Sequence, residues 1–431
     1  MKVYFYTLGC KVNRYETQAM SEALKGRSFE ITDNDDDADI YVINSCTVTA
    51  EADKKTRQTV RRFKRNNPDS TVVLTGCMPQ AYPLDAEKLK EADIVLGNKT
   101  NCLLPDMIKK HIESGERIFC VDEHKTGDAY INTNISSFDG RTRADIKIQD
   151  GCNRFCTYCI IPTSRGRVRS KPIDELEKEI ETVAESGYVE AVLVGINLSS
   201  YGSDTGLSIA DAIEKVCENE KIKRVRLGSI EPDHLTDEVI ERLSKCEKLC
   251  PQFHISLQSG CDKTLKNMHR HYNSEEYFSL CEKLRKSFKD CTLTTDVMVG
   301  FPGETDEDFS ESLSFVKKVG FEKVHVFPYS ARPGTKAAEY DGQVEKCIKE
   351  KRASVMIAET EKIRREFFNK QIGKTVNVLF ESKESGGYIG GYTENYTPVR
   401  VKADESLYNK IVKVKIVSVS DGDFCSGEVI I

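Results

Sequence analysis

The sequence predicts an α/β chain in three parts: an N-terminal parallel sheet of Rossmann type, a central partial (βα)6 barrel, and a small C-terminal β-barrel. Three observations predict this. Short Val/Ile-rich runs alternate with longer polar stretches at helical spacing. A polar linker interrupts that alternation before six further units follow. The tail then changes to short strands with Gly and Asn turns. The length of 431 residues suits such a plan at roughly 150 residues per domain.

The first part covers residues 1–122. Its expected strands are Val3–Leu8, Ile40–Asn44, Thr71–Thr75 and Ile94–Leu96, and their βαβα order implies a parallel sheet. Residues 123–143 read as a linker, with Gly127, Gly140 and many Asp, Asn and Ser. The central part is 144–370. Its expected strands are Ile146–Gln149, Ala191–Val194, Arg224–Leu227, Phe253–Ser256, Leu293–Val299 and Lys323–Phe327, with helices such as Ile173–Glu185 and Asp306–Lys318 between them. A long charged helix is expected around Glu345–Lys370. The last part, 371–431, reads as five short strands with turns at Gly386-Gly387, Glu394-Asn395 and Asp421-Gly422.

With 31% charged and 39% hydrophobic residues, the chain falls in the soluble globular class. Its net charge of −6 is not that of a generally basic nucleic-acid binder, so any RNA contact must come from local patches. No apolar run approaches the ~18 residues needed to span a membrane. Met1-Lys2-Val3-Tyr4-Phe5-Tyr6 reads as a strand without the features of a signal peptide. A cytoplasmic location is the expectation. Disulfides are rare there, so the 16 cysteines point first to metal or cluster ligation.

Cys152, Cys156 and Cys159 form C-x3-C-x2-C directly after the first barrel strand, the end at which barrel sites are built. Three thiolates leave one iron of a [4Fe–4S] cube free for a small molecule. The alternative is zinc, which prefers C-x2-C pairs and a fourth ligand; no Cys or His follows at a typical spacing. With Tyr158 before the third cysteine, the motif resembles the signature of radical S-adenosylmethionine enzymes, where the open iron binds that cofactor. Val299-Gly300-Phe301-Pro302-Gly303-Glu304-Thr305 ends a strand and opens a helix, whose N-terminus can receive an anion. Gly195-Ile196-Asn197, Ser229-Ile230-Glu231 and Gln258-Ser259-Gly260 also sit at strand ends. With Asp296, they are candidates for gripping the cofactor, or else residues in ordinary loop hydrogen bonds.

Cys10, Cys46 and Cys77 are far apart, yet each immediately follows a predicted strand, in Leu8-Gly9-Cys10, Asn44-Ser45-Cys46 and Thr75-Gly76-Cys77. Their separations of 36 and 31 residues are each one βα unit, so a parallel sheet brings all three to one crevice. That makes a second three-cysteine site, or alternatively three structural cysteines in a core. The other ten cysteines show no such logic.

Taken together, these residues make the chain resemble the methylthiotransferase family nearly end to end. Gly391-Tyr392-Thr393-Glu394-Asn395-Tyr396 is similar to that family's C-terminal TRAM RNA-binding module. The family's branches modify isopentenyladenosine in tRNA, N6-threonylcarbamoyladenosine in tRNA, or an aspartate of a ribosomal protein. Cys46-Thr47-Val48-Thr49 with Ala52-Asp53-Lys54, Leu257-Gln258-Ser259-Gly260-Cys261-Asp262, and Ile160-Ile161-Pro162 with Arg165-Gly166-Arg167 resemble the threonylcarbamoyl branch. Pro162-Thr163-Ser164 departs from the aromatic or alanine more usual there. The resemblance implies two [4Fe–4S] clusters, one on each cysteine set, and two uses of S-adenosylmethionine. One molecule methylates a sulfur at the Cys10/Cys46/Cys77 cluster. A second is cleaved to a radical that activates C2 of the adenine. The cofactors carry this chemistry, and the protein orients them. The resemblance also implies position 37 of tRNAs reading ANN codons as substrate, a flavodoxin- or ferredoxin-type electron donor, and neither DNA nor membrane as partner.

Two basic segments are candidates for RNA phosphates. Lys54, Lys55, Arg57, Arg61, Arg62, Lys64 and Arg65 fall in twelve residues without an acid, although a solvated helix face would look the same. Arg165, Arg167, Arg169 and Lys171 alternate, which in extended chain puts them on one side. Asp35-Asp36-Asp37 reads as a solvated loop. After residue 369, eight basic residues are balanced by eight acidic ones, so only aromatics such as Tyr392 and Tyr396 suggest base stacking there.

Overall fold

The computed structural model describes residues 1–430 apart from 134, 139, 140, 385, 404 and 421–423. The predicted turn at Asp421-Gly422, and Gly140 of the linker, lie outside the described residues.

Six parallel strands form the N-terminal sheet: β1 (Lys2–Thr7), β2 (Glu30–Thr32), β3 (Ile40–Ser45), β4 (Thr71–Gly76), β5 (Ile94–Leu96) and β6 (Ile118–Cys120), in the order β2-β1-β3-β4-β5-β6. Every residue of β3 and β4 is buried, as a parallel sheet covered on both faces requires. The pleat sends alternate side chains to different cores. Tyr41 and Ile43 pack with Phe63 and Val60 of helix α2 (Ala50–Asn66), while Ile40 and Val42 pack with Met20 and Leu24 of helix α1 (Lys11–Lys25). The edge strands β2 and β6 escape the sequence reading because each has only three residues and partly exposed side chains.

The barrel begins with β7 (Arg143–Lys147). A short antiparallel ribbon of β8 (Gln149–Asp150) and β9 (Arg169–Ser170) follows. Next come β10 (Glu190–Val194), β11 (Arg224–Leu227), β12 (Ser229–Ile230), β13 (Gln252–Ile255), β14 (Thr292–Val299) and β15 (Lys323–Pro328). β11-β10-β7 and β12-β13-β14-β15 are two parallel sheets, and β12 carries the direction of β11 on past Gly228. Outward residues such as Ile146, Leu193, Val225 and Ile255 join the helices in one large core. Residues on the opposite, concave face include Arg143, Glu190, Arg224 and Arg226, tied by ion pairs such as Arg226 Nε to Glu190 at 2.9 Å.

The helix Lys346–Asn369 leads into a closed barrel of β16 (Thr375–Glu384), β17 (Tyr388–Thr393), β18 (Pro398–Lys402), β19 (Ile411–Val419) and β20 (Cys425–Val429). It docks against the starts of the central strands. Arg224 donates to the carbonyls of Tyr392 (3.2 Å) and Asn377 (2.8 Å), Arg226 donates to Glu394 O (3.0 Å), and Thr292 Oγ1 donates to Asn395 O (2.8 Å). This corrects the reading of Tyr392 and Tyr396 as an exposed stacking platform. Both are half-buried, their rings stack on each other at 4.5 Å, and Arg143 lies 5.2 Å from each.

Candidate active site

The C-x3-C-x2-C loop runs between β8 and a short helix, Ile161–Arg165. Only glycine fits at 151: φ is +73°, and a Cβ would stand 1.8 Å from Arg167 O. Phe155, at φ +51°, is turned outward, 43% exposed, with the Arg167 guanidinium 4.4 Å from its ring. Thr157 N donates to Met268 O (3.1 Å), and Ala337 N donates to Thr157 O (2.8 Å), which fixes the loop between them. Around the sulfurs stand donors. Asn197 Nδ2 is 3.7 Å from Cys152 and Arg270 Nη1 is 3.4 Å from Cys156, while the N–H groups of Arg154 and Ile161 are directed at Cys152 and Cys159. Arg270 also approaches the Tyr158 hydroxyl at 3.4 Å and pairs with Glu231. Sequence reading missed Arg270, which lies on a loop with no spacing to mark it.

Cys10 caps the N-terminus of α1, Cys46 follows β3, and Cys77 opens helix α3 (Cys77–Ala81) after β4. The chain crosses closely here: a Cβ on Gly9 would lie 2.9 Å from Cys46 Cβ and 3.3 Å from its sulfur. Asn13 ties the loops together. Its Nδ2 donates to Leu8 O (2.8 Å) and Ser45 O (2.9 Å), and its Oδ1 lies 3.7 Å from Cys10 Sγ and 4.0 Å from Cys77 Sγ. Arg165 reaches in from the other cysteine loop, donating through Nε to Cys77 Sγ (3.3 Å) and through Nη2 to Asn13 Oδ1 (2.7 Å).

Burial pushes the Cys77 thiol up to about 12, against the pull of Arg165, and Cys152 up to about 11; burial raises Cys46 and Cys159 as well. Without a cationic centre these sulfurs are thiols, and a bound metal centre would displace their protons. Among the described residues, no three His, Cys, Asp or Glu side chains gather closely enough for one metal ion. Zinc draws its sulfurs to within about 3.8 Å of one another. A four-iron cube takes each thiolate at a different corner and spreads them wider. The donors aimed at the sulfurs suit a thiolate-bound cluster.

The remaining predicted contacts divide. Asn197, Glu231 and Tyr158 lie at the radical loop. Gln258, at φ +66°, has a buried Oε1 with no hydrogen-bond partner among the described residues, an acceptor that a ligand could meet; its N–H donates to Asp296 O (2.8 Å). Gly195 packs against Gln149, Ser229 Oγ meets Ser256 Oγ at 3.0 Å, and Asp296 faces His254 Nε2 at 3.2 Å. The Gly300–Thr305 segment requires a correction. Gly300 N donates to Glu304 Oε1 (2.8 Å), Gly303 N donates to Gly342 O (2.9 Å), and Thr305 with Asp308 caps the following helix, so these amides are already taken.

The alternating basic segment also requires one. Arg165, Arg169 and Lys171 are buried, and only Arg167 is exposed. Arg165 and Lys147 share Glu16 and Asp150, Arg169 Nη2 is 3.5 Å from Asp150, and Lys171 pairs with Glu179. The segment forms an ionic seam between α1 and the barrel rather than an RNA-facing strip, because β9 pairs with β8 inside the domain junction. On α2, Lys54, Lys55, Arg61, Arg62 and Arg65 are exposed, with Arg61 3.2 Å from Glu91 and Arg62 3.7 Å from Asp35.

Family models match three stretches: the uncharacterized protein family UPF0004 over residues 2–97, the radical SAM superfamily over 146–316 and the TRAM domain over 369–428. A Bacillus subtilis protein named threonylcarbamoyladenosine tRNA methylthiotransferase MtaB is 39% identical, over 96% of this chain and 93% of its own. Its namesake in Aquifex aeolicus is 35% identical over 96% and 100%. A Finegoldia magna tRNA-2-methylthio-N(6)-dimethylallyladenosine synthase is 35% identical over 95% and 91%. Among solved structures, the radical S-adenosylmethionine methyltransferase TsrM of Kitasatospora setae shares the fold, with a TM-score of 0.57 at 14% identity over 78% of this chain and 74% of that one. With the matched models, the near-full-length relatives and the two cysteine sets in view, the chain belongs to the methylthiotransferase family of radical S-adenosylmethionine enzymes.

Proposed function

We propose that this chain adds a methylthio group to C2 of N6-threonylcarbamoyladenosine at position 37 of tRNAs reading ANN codons, in the cytoplasm. One observation carries the reading. Arg165, six residues past Cys159, donates to Cys77 of the other set at 3.3 Å, which supports reading both sets as parts of one site. The identity to two relatives named for the threonylcarbamoyl substrate supports the choice of branch.

When bound, a [4Fe–4S] cluster on each cysteine set and S-adenosylmethionine supply the one-electron and sulfur-transfer chemistry that an aromatic C–H bond demands. The chain's own residues orient and insulate. Cys152, Cys156 and Cys159 hold one cluster, with Asn197 and Arg270 donating toward its sulfurs. Gln258 and Glu231 offer acceptors to the cofactor beside it. Cys10, Cys46 and Cys77 hold the other, with Asn13 and Arg165 fixing their loops. Low-potential electrons come from a flavodoxin- or ferredoxin-type donor.

The test is the nucleoside content of total tRNA from a strain lacking the gene. Loss of 2-methylthio-N6-threonylcarbamoyladenosine with accumulation of its unthiolated precursor is expected. Loss of methylthio-isopentenyladenosine instead, or of a modified ribosomal protein aspartate, would move the chain to another branch.

A further inference from the structure

The concave face of the barrel holds a surplus of positive charge. A cavity of about 260 Å³ lies where α1, β7 and the C-terminal barrel meet, lined by the cations Lys11, Arg14, Arg141 and Arg143 and the carboxylates Asp145 and Glu381. The carboxylates are already engaged: Arg14 Nη2 is 3.1 Å from Asp145, and Arg143 Nη2 is 2.7 Å from Glu381. Among the described residues, Lys11 and Arg141 have no ion-pair partner. Lys11 is half-buried and Arg141 stands exposed at the rim, so the cavity carries two surplus positive charges that favour an anion there.

The cavity's place in the site narrows the kind of anion. Lys11 directly follows Cys10. Val192 lines the cavity and packs with Val12, Val194 and Ile196 along one wall. Ile196 precedes Asn197, whose Nδ2 lies 3.7 Å from Cys152 Sγ. This wall runs from the cavity toward the loops that carry Cys10 and Cys152, between which the substrate base is placed in the reading above. Threonylcarbamoyladenosine differs from unmodified and prenylated adenosine by a carboxylate a few bonds beyond N6, on the ring edge that also carries N1 and C2. A prenyl group would leave both cations unpaired.

We propose that this cavity receives a carboxylate carried by the substrate base, with Lys11 and Arg141 as the two cations that meet it. The inference rests on the substrate reading above. A backbone phosphate would draw on the same charges, and the experiment separates the two sources.

Anticodon stem-loop RNA bearing threonylcarbamoyladenosine, and the same RNA with the threonine carboxylate blocked as its methyl ester, are titrated against cluster-loaded full-length enzyme and followed by fluorescence anisotropy. The wild type binds the acid about tenfold tighter than the ester, the size of one charge-assisted hydrogen bond. Lys11→Met and Arg141→Met each remove most of that ratio and leave the ester's affinity within about twofold of wild type. An equal loss for both RNAs would assign the cations to phosphate and overturn the proposal, and so would no loss at all. Iron content and thermal melting accompany each variant. Should Lys11→Met shed iron through its neighbour Cys10, Arg141→Met, which adjoins no cysteine, decides the question. A wild type that forms the methylthio nucleoside yet binds acid and ester alike overturns the receptor and leaves the substrate reading standing. A wild type that forms none overturns both.

Discussion

Arg165 is the residue on which the site turns. Its guanidinium is fully buried between a cysteine sulfur, Asn13 and two carboxylates, whereas Arg167, two residues on, is exposed. Removing one partner from a buried ionic group strands the others, at a cost of about 3 kcal/mol or more. Arg165→Met should lower unfolding stability by that order in denaturant titration, and Arg167→Ala should change it by less than about 0.5 kcal/mol. His124 offers a second test. Burial, then Arg169, lowers its pKa to about 4 from 6.5, while its Nε2 meets Asn98 Oδ1 at 2.9 Å. The unfolded chain therefore takes up this proton first as pH falls. The contribution of His124 to stability is present above about pH 6.5 and is lost between there and pH 4. His124→Gln should flatten the stability profile across that window. Side chains like these were the least legible in the sequence. Alternation at 165, 167, 169 and 171 shows which residues share a side, but not whether that side meets water or another domain. The partners Glu16 and Asn13 come from a helix about 150 residues away.

At the scale of elements, strand ends made the site legible. Cys46 and Cys77 follow fully buried strands that their Val and Ile runs announce, Cys10 follows β1 beside them, and parallel pairing brings these three strand ends together. What was not legible is how the loops are locked. Gly151 has no room for a side chain against Arg167 O. Gly151→Ala should displace the C-x3-C-x2-C loop and lose about four irons per chain, one cluster's worth, while leaving the N-terminal set loaded. Iron analysis of anaerobically reconstituted protein checks this. The Gly300–Gly303 turn was misread for a related reason. A glycine-rich strand-to-helix turn looks the same whether its amides await an anion or are taken by Glu304 and Gly342.

At the scale of the molecule, three units meet around the concave face of the barrel. α1 lays Glu16 across Lys147 and Arg165, and the C-terminal barrel is held by carbonyls accepting from Arg224 and Arg226. Alternation and turn signals announced the fold class, which holds in the structure. They could not announce that charged residues line the concave face, because two units elsewhere in the chain cover it. We propose that two separate three-cysteine sets each hold a four-iron cluster. The most direct test is iron per chain, with the matching electron paramagnetic resonance signal, in reconstituted wild type and in two triple variants, Cys10→Ala/Cys46→Ala/Cys77→Ala and Cys152→Ala/Cys156→Ala/Cys159→Ala. About eight irons in the wild type and about four in each variant, with distinct signals, are predicted. A Cys10/Cys46/Cys77 variant that keeps the full iron content and signal of the wild type would contradict the claim.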